Sequence, residues 1–228
     1  MTPEDPAALA AQDDLAAFAA LSAHQLGEAV ALMRGAAAVI QGEQQALGPG
    51  GQDALRALGA GGERAQRYVD DLLDVVRASG EPAAHATTEL DAALDAAWSD
   101  LDAALRGRPV DLQREPLPAA ALAPTEARSL FAHLLRSALS AGATRLGVTG
   151  RVEGATAIVE LYDNGAPAPA GAQLFAPLAR PRGRGPLVGA GLSLPVCHRL
   201  VTRAGGRIGA DVRSDGATIM TIELPTAR

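Results

Sequence analysis

The sequence predicts an α+β protein in which a long helical hairpin precedes a mixed domain of strands and helices. Small and apolar residues recur at spacings of three and four from about Asp14 to Gln41, and again from about Asp53 to Ala78. Beyond Pro82, short alternating segments typical of strands are interspersed with amphipathic segments typical of helices. This change of pattern divides the chain into a tail at 1–13, a hairpin at 14–80 and a domain at 84–228.

The first helix is predicted from a seam of small and apolar side chains on one face. The seam consists of Leu15, Ala19, Ser22, Leu26, Val30, Met33, Ala37 and Ile40. The stretch "LGPGGQD" interrupts it, and the second helix ends at Gly80. A lone hairpin has no second surface on which to bury its seam. We therefore expect a homodimer in which two antiparallel hairpins form a four-helix bundle.

The second part alternates between strand and helix patterns. The segments "HATTEL" and "VDLQREPLP" are predicted strands, and "DAALDAAWSDLDAALRG", "TEARSLFAHLLRSALSAGA" and "GLSLPVCHRLVTRAGG" are predicted helices. Two hairpins are expected, one turning near Gly154 and a final one turning at Ser214–Gly216. Together these elements predict a mixed sheet with helices on one face.

Composition excludes several classes of function. The formal net charge of −6 is opposite to the basic face of a nucleic-acid-binding protein. Cys197 is the only cysteine, so no disulfide can form within the chain. The acidic start "MTPEDPAALAAQDD" is unlike a signal peptide, and no uncharged apolar run reaches the roughly 18 residues of a membrane span. We expect a soluble cytoplasmic protein that binds neither nucleic acid nor membrane.

Several stretches in order resemble the transmitter module of sensor histidine kinases of the bacteriophytochrome-like type. "DLAAFAALSAHQLGEAV" is similar to the phosphoacceptor box F-x-x-x-x-S-H-[DE]-L-x-E-P, and "ERAQRYVDDLLDVVR" to the second hairpin helix. "LFAHLLRSAL", "YDNG" and "GAGLSLPVCHRLVTRAGGRI" fall where the family has its Asn-rich box and two glycine boxes. The resemblance implies an α/β-sandwich ATP-binding domain of the GHKL (Bergerat) type after the hairpin.

His24 is the candidate phosphoacceptor that this resemblance implies. A neutral imidazole is a competent nucleophile near pH 7, because its unperturbed pKa is about 6.5. Gln25 stands where the family has an acid, and a glutamine can orient the imidazole but cannot accept its proton. Glu28, one helical turn from His24, would replace part of that function. Spacing alone also fits a half-buried histidine at a dimer seam.

The nucleotide boxes depart further from the family pattern. The resemblance aligns His133 and Ser137 with two amides, of which the second holds Mg²⁺ in the family, so Ser137 is the candidate metal position. Asp163 aligns with the acid that accepts a hydrogen bond from the adenine amino group, and Gly165 with the first glycine of that box. Pro167 replaces its second glycine, which removes a backbone donor. On local pattern alone, "DNG" is also an ordinary turn.

The second glycine box is matched by "GAGLSL". Gly189 and Gly191 are present, and Ser193 replaces the third glycine. Backbone amides ahead of a helix N-terminus can still bind phosphate. The resemblance therefore implies ATP and Mg²⁺ as cofactors, while His133, Ser137, Pro167 and Ser193 oppose their binding.

Three functions remain open from the sequence. The first is a phosphotransfer protein or pseudokinase of a phosphorelay. It would present His24 for transfer of a phosphoryl group to or from the aspartate of a response-regulator receiver domain. The second is an active ATP-dependent autokinase of the two-component type, acting under an upstream sensor domain or protein. The third is a dimeric interaction module without catalysis. Enzymatic activity within the histidine kinase and phosphotransferase family thus depends on whether the altered boxes still bind nucleotide.

Overall fold

The fold was analysed on a computed structural model of the chain. The structure describes residues 26–42, 47–78, 86–101, 105–167, 172–175 and 192–226. The chain divides into two compact units, Met1–Ser79 and Gly80–Arg228. The α+β class predicted from the sequence is confirmed, with helices in the first unit and a mixed sheet with helices in the second.

The first unit contains an antiparallel pair of helices. Helix α1 is described at 26–42, and helix α2 spans Pro49–Arg77. A Cβ built on Gly27 would lie 3.5 Å from Val69, and one built on Gly62 would lie 2.9 Å from the Arg34 side chain. Residue numbers therefore rise along α1 as they fall along α2. Among the described residues, no helix has both the length and the apolar character needed to cross a membrane.

Helix α2 begins earlier than the periodicity predicts. The expected start was about Asp53, whereas the helix starts at Pro49, where the fixed φ of proline suits the first turn. It also continues through three glycines that weaken the pattern. One of them, Gly62, is buried beside α1, so the close approach of the two helices offsets its low helix propensity.

Two charged side chains on α2, the partly buried Arg67 and the buried Asp71, lie one helical turn apart. Asp71 is only 2% exposed. Burial lowers the pKa of the Arg67 guanidinium, and the nearby carboxylates of Glu63 and Asp71 act in the opposite direction. Arginine keeps its proton at neutral pH. The packed face of α2 therefore includes a charged guanidinium, that of Arg67, and the adjacent carboxyl group of Asp71.

The second unit contains seven strands and three α-helices among the described residues. In chain order they are β1 (Thr87–Glu89), α3 (Leu90–Ser99), β2 (Asp111–Arg114), β3 (Ala119–Ala121), α4 (Pro124–Ser140), β4 (Arg145–Glu153), β5 (Thr156–Asp163), α5 (Ser193–Arg203), β6 (Arg207–Val212) and β7 (Thr218–Pro225). A short 3₁₀ segment lies at Ala172–Phe175. Both predicted turns are present, since Gly154 and Gly216 have positive φ angles of 60° and 85°.

The main sheet has five strands in the order β2-β4-β5-β7-β6. Strand β2 runs parallel to β4, and the other neighbours are antiparallel. Strands β1 and β3 form a separate two-stranded sheet. The register between β5 and β7 pairs Asp163 with Thr218 at one end and Thr156 with Pro225 at the other. The sheet thus brings the last residue of β5 beside the first residue of β7.

The core of the second unit lies between one face of the sheet and the helices. Alternate residues of β7 are buried, as expected of a strand with one covered face. Helix α4 contributes the largest share of buried side chains, and α3 and α5 both pack against it. The fully buried side chains include Phe131, Leu134, Leu135, Leu139, Leu161, Met220 and Ile222. Helix α4 is therefore the central helix of the domain.

An ion pair joins the end of α5 to the start of α4. Arg203 binds Glu126, and the two side chains are 14% and 18% exposed. We expect Arg203→Met to lower the free energy of unfolding by about 1–2 kcal/mol, because Glu126 would keep its charge in a partly buried position. Trp98, the only tryptophan, lies in α3 and reports unfolding of this unit in urea.

The exposed pair Arg128–Asp100 provides the matched control. These side chains are 52% and 43% exposed, so water screens the pair. Arg128→Met should leave the urea midpoint unchanged. Equal effects of the two variants would contradict the structural role of the Arg203–Glu126 pair.

Candidate functional site

The candidate nucleotide site is built around Asp163, the last residue of β5. Its side chain is buried, with 1% exposure. The backbone N–H of Gly165 donates a hydrogen bond of 2.9 Å to Asp163 Oδ1. This bond orients the carboxylate. The sequence prediction placed Asp163 in this site, and the structure places it in a buried, oriented position.

Thr218 lies directly opposite Asp163 in the β5–β7 pairing. It is fully buried. The Cβ atoms of opposed residues in antiparallel strands lie about 4.5–5.5 Å apart, so the two side chains are neighbours on one face of the sheet. Sequence reasoning missed Thr218, although it identified the Ser214–Gly216 turn just ahead of it. A signal was present, because the alternation of β7 places Thr218 on the same face as Met220 and Ile222.

Asn164 ties the end of β5 to the loop that enters β4. Its Oδ1 accepts hydrogen bonds of 2.9 Å from the backbone N–H groups of both Thr144 and Arg145. Its Nδ2 donates to Thr144 Oγ1 at 3.2 Å. The "DNG" tripeptide therefore does more than form a turn. Asn164 joins the end of β5 to the loop before β4, and Gly165 hydrogen-bonds to Asp163.

Gly165 passes close to the end of α4. A Cβ at this position would lie 2.9 Å from the Ala141 Cβ and 2.9 Å from Asp163 Oδ1. The next residue, Ala166, donates its N–H to the Ala141 carbonyl oxygen at 2.8 Å. Any side chain at 165 would therefore disturb both contacts. Pro167 follows at an exposed position.

Helix α4 carries the two residues at the predicted amide positions. His133 and Ser137 are four residues apart and therefore on one face of the helix, and they are 0% and 9% exposed. Ser140, one turn further, donates its hydroxyl to the Ser137 carbonyl oxygen at 2.9 Å. Its hydroxyl is thereby engaged within the helix. The face offers an imidazole and hydroxyls where the family pattern has amide oxygens.

These residues differ in how well they suit the two parts of a Mg²⁺–nucleotide, the base and the Mg²⁺-bound phosphates. Asp163, which the resemblance aligns with the acceptor of the adenine amino group, is buried beside Thr218. Mg²⁺ prefers carboxylate, amide carbonyl and water oxygens in octahedral geometry, and an imidazole does not meet that preference. The described residues contain no group of three or more His, Cys, Asp or Glu side chains able to hold a metal ion. Ser137 would be a single weak ligand.

The remaining predicted site residues are distributed as follows. Glu28 is exposed on α1. His24, Gln25, Gly189 and Gly191 lie outside the described residues. Ser193 is the first residue of α5, and the nearby Cys197 is fully buried with its Sγ 3.8 Å from the Leu130 carbonyl oxygen.

Comparison with known families finds a match within the second unit. Residues 123–228 match the family described as histidine kinase-, DNA gyrase B- and HSP90-like ATPase. This range begins at the N-terminal cap of α4 and includes Asp163, Gly165 and Thr218. No curated protein matches the sequence.

The solved structures that match this chain include histidine kinases. Full-length ShkA in complex with AMPPNP matches with a TM-score of 0.69 and 19% identity, over 92% of this chain. This chain spans 45% of the length of ShkA. AdeS of Acinetobacter baumannii matches with a TM-score of 0.59 and 15% identity, over 84% of this chain and 95% of AdeS. The mycobacterial kinase MprB matches with a TM-score of 0.52 and 18% identity, over 62% of this chain and 97% of MprB.

The ShkA match covers more than the ATPase-like region, since 92% of this chain extends well into the first unit. Residues 123–228 therefore match the histidine kinase-, DNA gyrase B- and HSP90-like ATPase family, and the chain shares the fold of histidine kinases of known structure.

Proposed function

We propose that the chain is a two-component signalling protein that presents His24 for phosphoryl transfer to or from a response-regulator aspartate, with impaired ATP binding. The observation that carries this proposal is the buried face of α4. The fold of histidine kinases is present around it, and His133 and Ser137 are the buried residues that the resemblance aligns with two amides. In the transfer step, the N–P bond on the imidazole breaks as an O–P bond forms on the aspartate carboxylate, and the reverse reaction returns the group to His24.

Calorimetry with Mg·ATP tests the nucleotide part of this proposal. Weak or undetectable binding at micromolar protein is expected, because α4 lacks amide oxygens to hold the Mg²⁺ that accompanies the negatively charged triphosphate. Micromolar affinity together with an acid-labile, alkali-stable label from ATP would contradict it and favour the autokinase.

An ATP-dependent autokinase is the second candidate, and the geometry of Asp163 favours it. The carboxylate is oriented by Gly165 and opposed by Thr218. The similar protein ShkA was solved with AMPPNP bound. The two candidates differ in the source of the phosphoryl group and share His24 as its acceptor.

The first unit supports dimerisation through the hairpin. Of the predicted seam, Val30 and Ala37 are buried, whereas Leu26, Met33 and Ile40 are 54%, 52% and 44% exposed. The exposed three lie at intervals of seven residues, which is the repeat of helices that pack in bundles. A second copy of the same hairpin would cover this stripe and complete a four-helix bundle.

We expect Met33→Glu to weaken the homodimer at least tenfold, because dimerisation would bury an unpaired carboxylate. Sedimentation velocity of the 23.1 kDa chain over a range of concentrations measures the dissociation constant. Ala31→Glu is the matched control, since Ala31 is exposed on the opposite side of α1. A wild-type monomer, or equal effects of both variants, would refute this interface.

A further inference from the structure

We infer that the outer edge of strand β6 pairs with the same strand of a second copy of the chain, in an antiparallel register centred on Gly209. Strand β6 ends the main sheet, with β7 on one side and no strand of the described residues on the other. The contact lies in the second unit, so it is separate from the hairpin interface and from phosphoryl transfer at His24.

The edge of β6 carries regular backbone groups and no feature that prevents pairing. The strand pairs with β7 over its whole length without a bulge, and it contains no proline. The N–H of Arg213 donates to the Ala217 carbonyl oxygen at 2.8 Å, and hydrogen-bonded pairs recur at every second residue of an antiparallel ladder. The residues between those pairs direct their backbone groups away from β7: Ile208, Ala210 and Val212.

The charges of β6 select one register for the pair. With Gly209 of the two copies opposite each other on a two-fold axis, Arg207 of each copy lies opposite Asp211 of the other. The residues with outward backbone groups then face each other and exchange hydrogen bonds. A shift of two residues in one direction would place Arg207 opposite Arg213, and like charges directly opposite are destabilising. The opposite shift would place Arg207 opposite Gly209, without an ion pair.

The side chains that would form this contact are available for it. Arg207 and Asp211 are exposed on one face of β6. Within the part of the chain that the structure describes, neither side chain has an ion-pair partner. A Cβ built on Gly209 meets nothing within 4 Å, so the strand is also accessible at the two-fold axis. Because the paired charges stay in contact with water, they determine register more than affinity.

The experiment is disulfide trapping of the full chain, with Met33→Glu present throughout to weaken the predicted hairpin interface. Gly209→Cys would place two thiols opposite each other in a non-hydrogen-bonded pair, where Cα atoms lie about 4.5 Å apart and a disulfide can form. Copper phenanthroline and oxygen provide the oxidant. The natural Cys197 is fully buried and does not compete. Non-reducing electrophoresis measures the rate at which the covalent dimer appears.

Val212→Cys is the matched control, because Val212 is 44% exposed on the same strand and its replacement keeps both charges. Its two thiols would lie six residues apart along the paired strands, too far for a disulfide. We expect Gly209→Cys to form the covalent dimer about tenfold faster or more, because the paired strands hold its thiols together. Equal rates for the two variants, or no dimer from Gly209→Cys, would overturn the inference.

Charge reversal tests the register independently. In the Gly209→Cys chain, Arg207→Asp should slow trapping by about threefold or more, because like charges would then face each other on both sides of the axis. Adding Asp211→Arg should restore the rate, because the two ion pairs form again with their signs exchanged. Arg207 also lies opposite Glu223 within its own sheet, and Asp211→Arg does not repair that contact. A rate that stays low in the doubly reversed chain would therefore refute the register.

Discussion

A His24→Gln variant should lose all covalent phosphoryl label, whatever the donor. Glutamine provides a polar side chain of comparable length, but its amide nitrogen is not nucleophilic, because its lone pair is delocalised. Phosphoramidate, a small-molecule phosphoryl donor, should label the wild type with an acid-labile, alkali-stable group. Mg·ATP should label it far more slowly, since the α4 face lacks the metal ligands. The label is measured after rapid denaturation at high pH.

The matched control is His198→Gln. His198 is exposed on α5, where its ring lies 5.6 Å from that of Phe175. A small donor can reach any exposed imidazole, so His198 tests whether labelling is specific to one site. The control variant should keep the wild-type label. Label that survives in His24→Gln and disappears in His198→Gln would refute His24 as the phosphoacceptor.

Comparison of the two donors distinguishes the two candidate functions. Labelling by phosphoramidate alone fits a phosphotransfer protein whose phosphoryl group comes from a receiver domain. Equal labelling by Mg·ATP would show that the nucleotide site still binds Mg²⁺ and the phosphates of ATP productively, despite His133 and Ser137. No label from either donor in a folded dimer would leave the non-catalytic interaction module as the remaining hypothesis.

The order of helices and strands could be predicted because local patterns determine it. The alternation of β7 and the turn glycines at 154 and 216 are local signals, and the structure agrees with them. Strand β3 was missed because three alanines have little intrinsic preference for a strand. It forms because it pairs with β1, where Thr88 also donates its hydroxyl to the Leu122 carbonyl oxygen at 2.6 Å.

The candidate site was only half predictable for a related reason. Asp163 and Gly165 lie within one short motif, so the sequence itself brings them together. Thr218 joins them through strand register, over a separation of 55 residues that no periodicity reveals. The hydrogen bonds of Asn164 with Thr144 and Arg145 likewise form because β4 and β5 are neighbouring strands. Contacts of this kind follow from the sheet and cannot be read from local composition.

The same dependence on sheet geometry makes Gly206 a critical residue for stability. Gly206 connects α5 to β6, and its N–H donates to the Val201 carbonyl oxygen at 2.9 Å. A Cβ at this position would lie 2.1 Å from the Glu223 carbonyl oxygen, far inside contact distance. That oxygen belongs to the backbone of β7, so it cannot rotate away as the end of a side chain could. The strand pairing itself would have to shift.

Gly206→Ala should therefore lower the free energy of unfolding of the second unit by about 2–3 kcal/mol, the upper range for overpacking. Urea denaturation followed by Trp98 fluorescence measures the change. Gly209→Ala is the matched control on the adjoining strand, because a Cβ there meets nothing within 4 Å. It should be neutral or slightly stabilising, since alanine restricts the unfolded chain more than glycine does. Equal midpoints for the two variants would show that β6 can move away from β7 without cost.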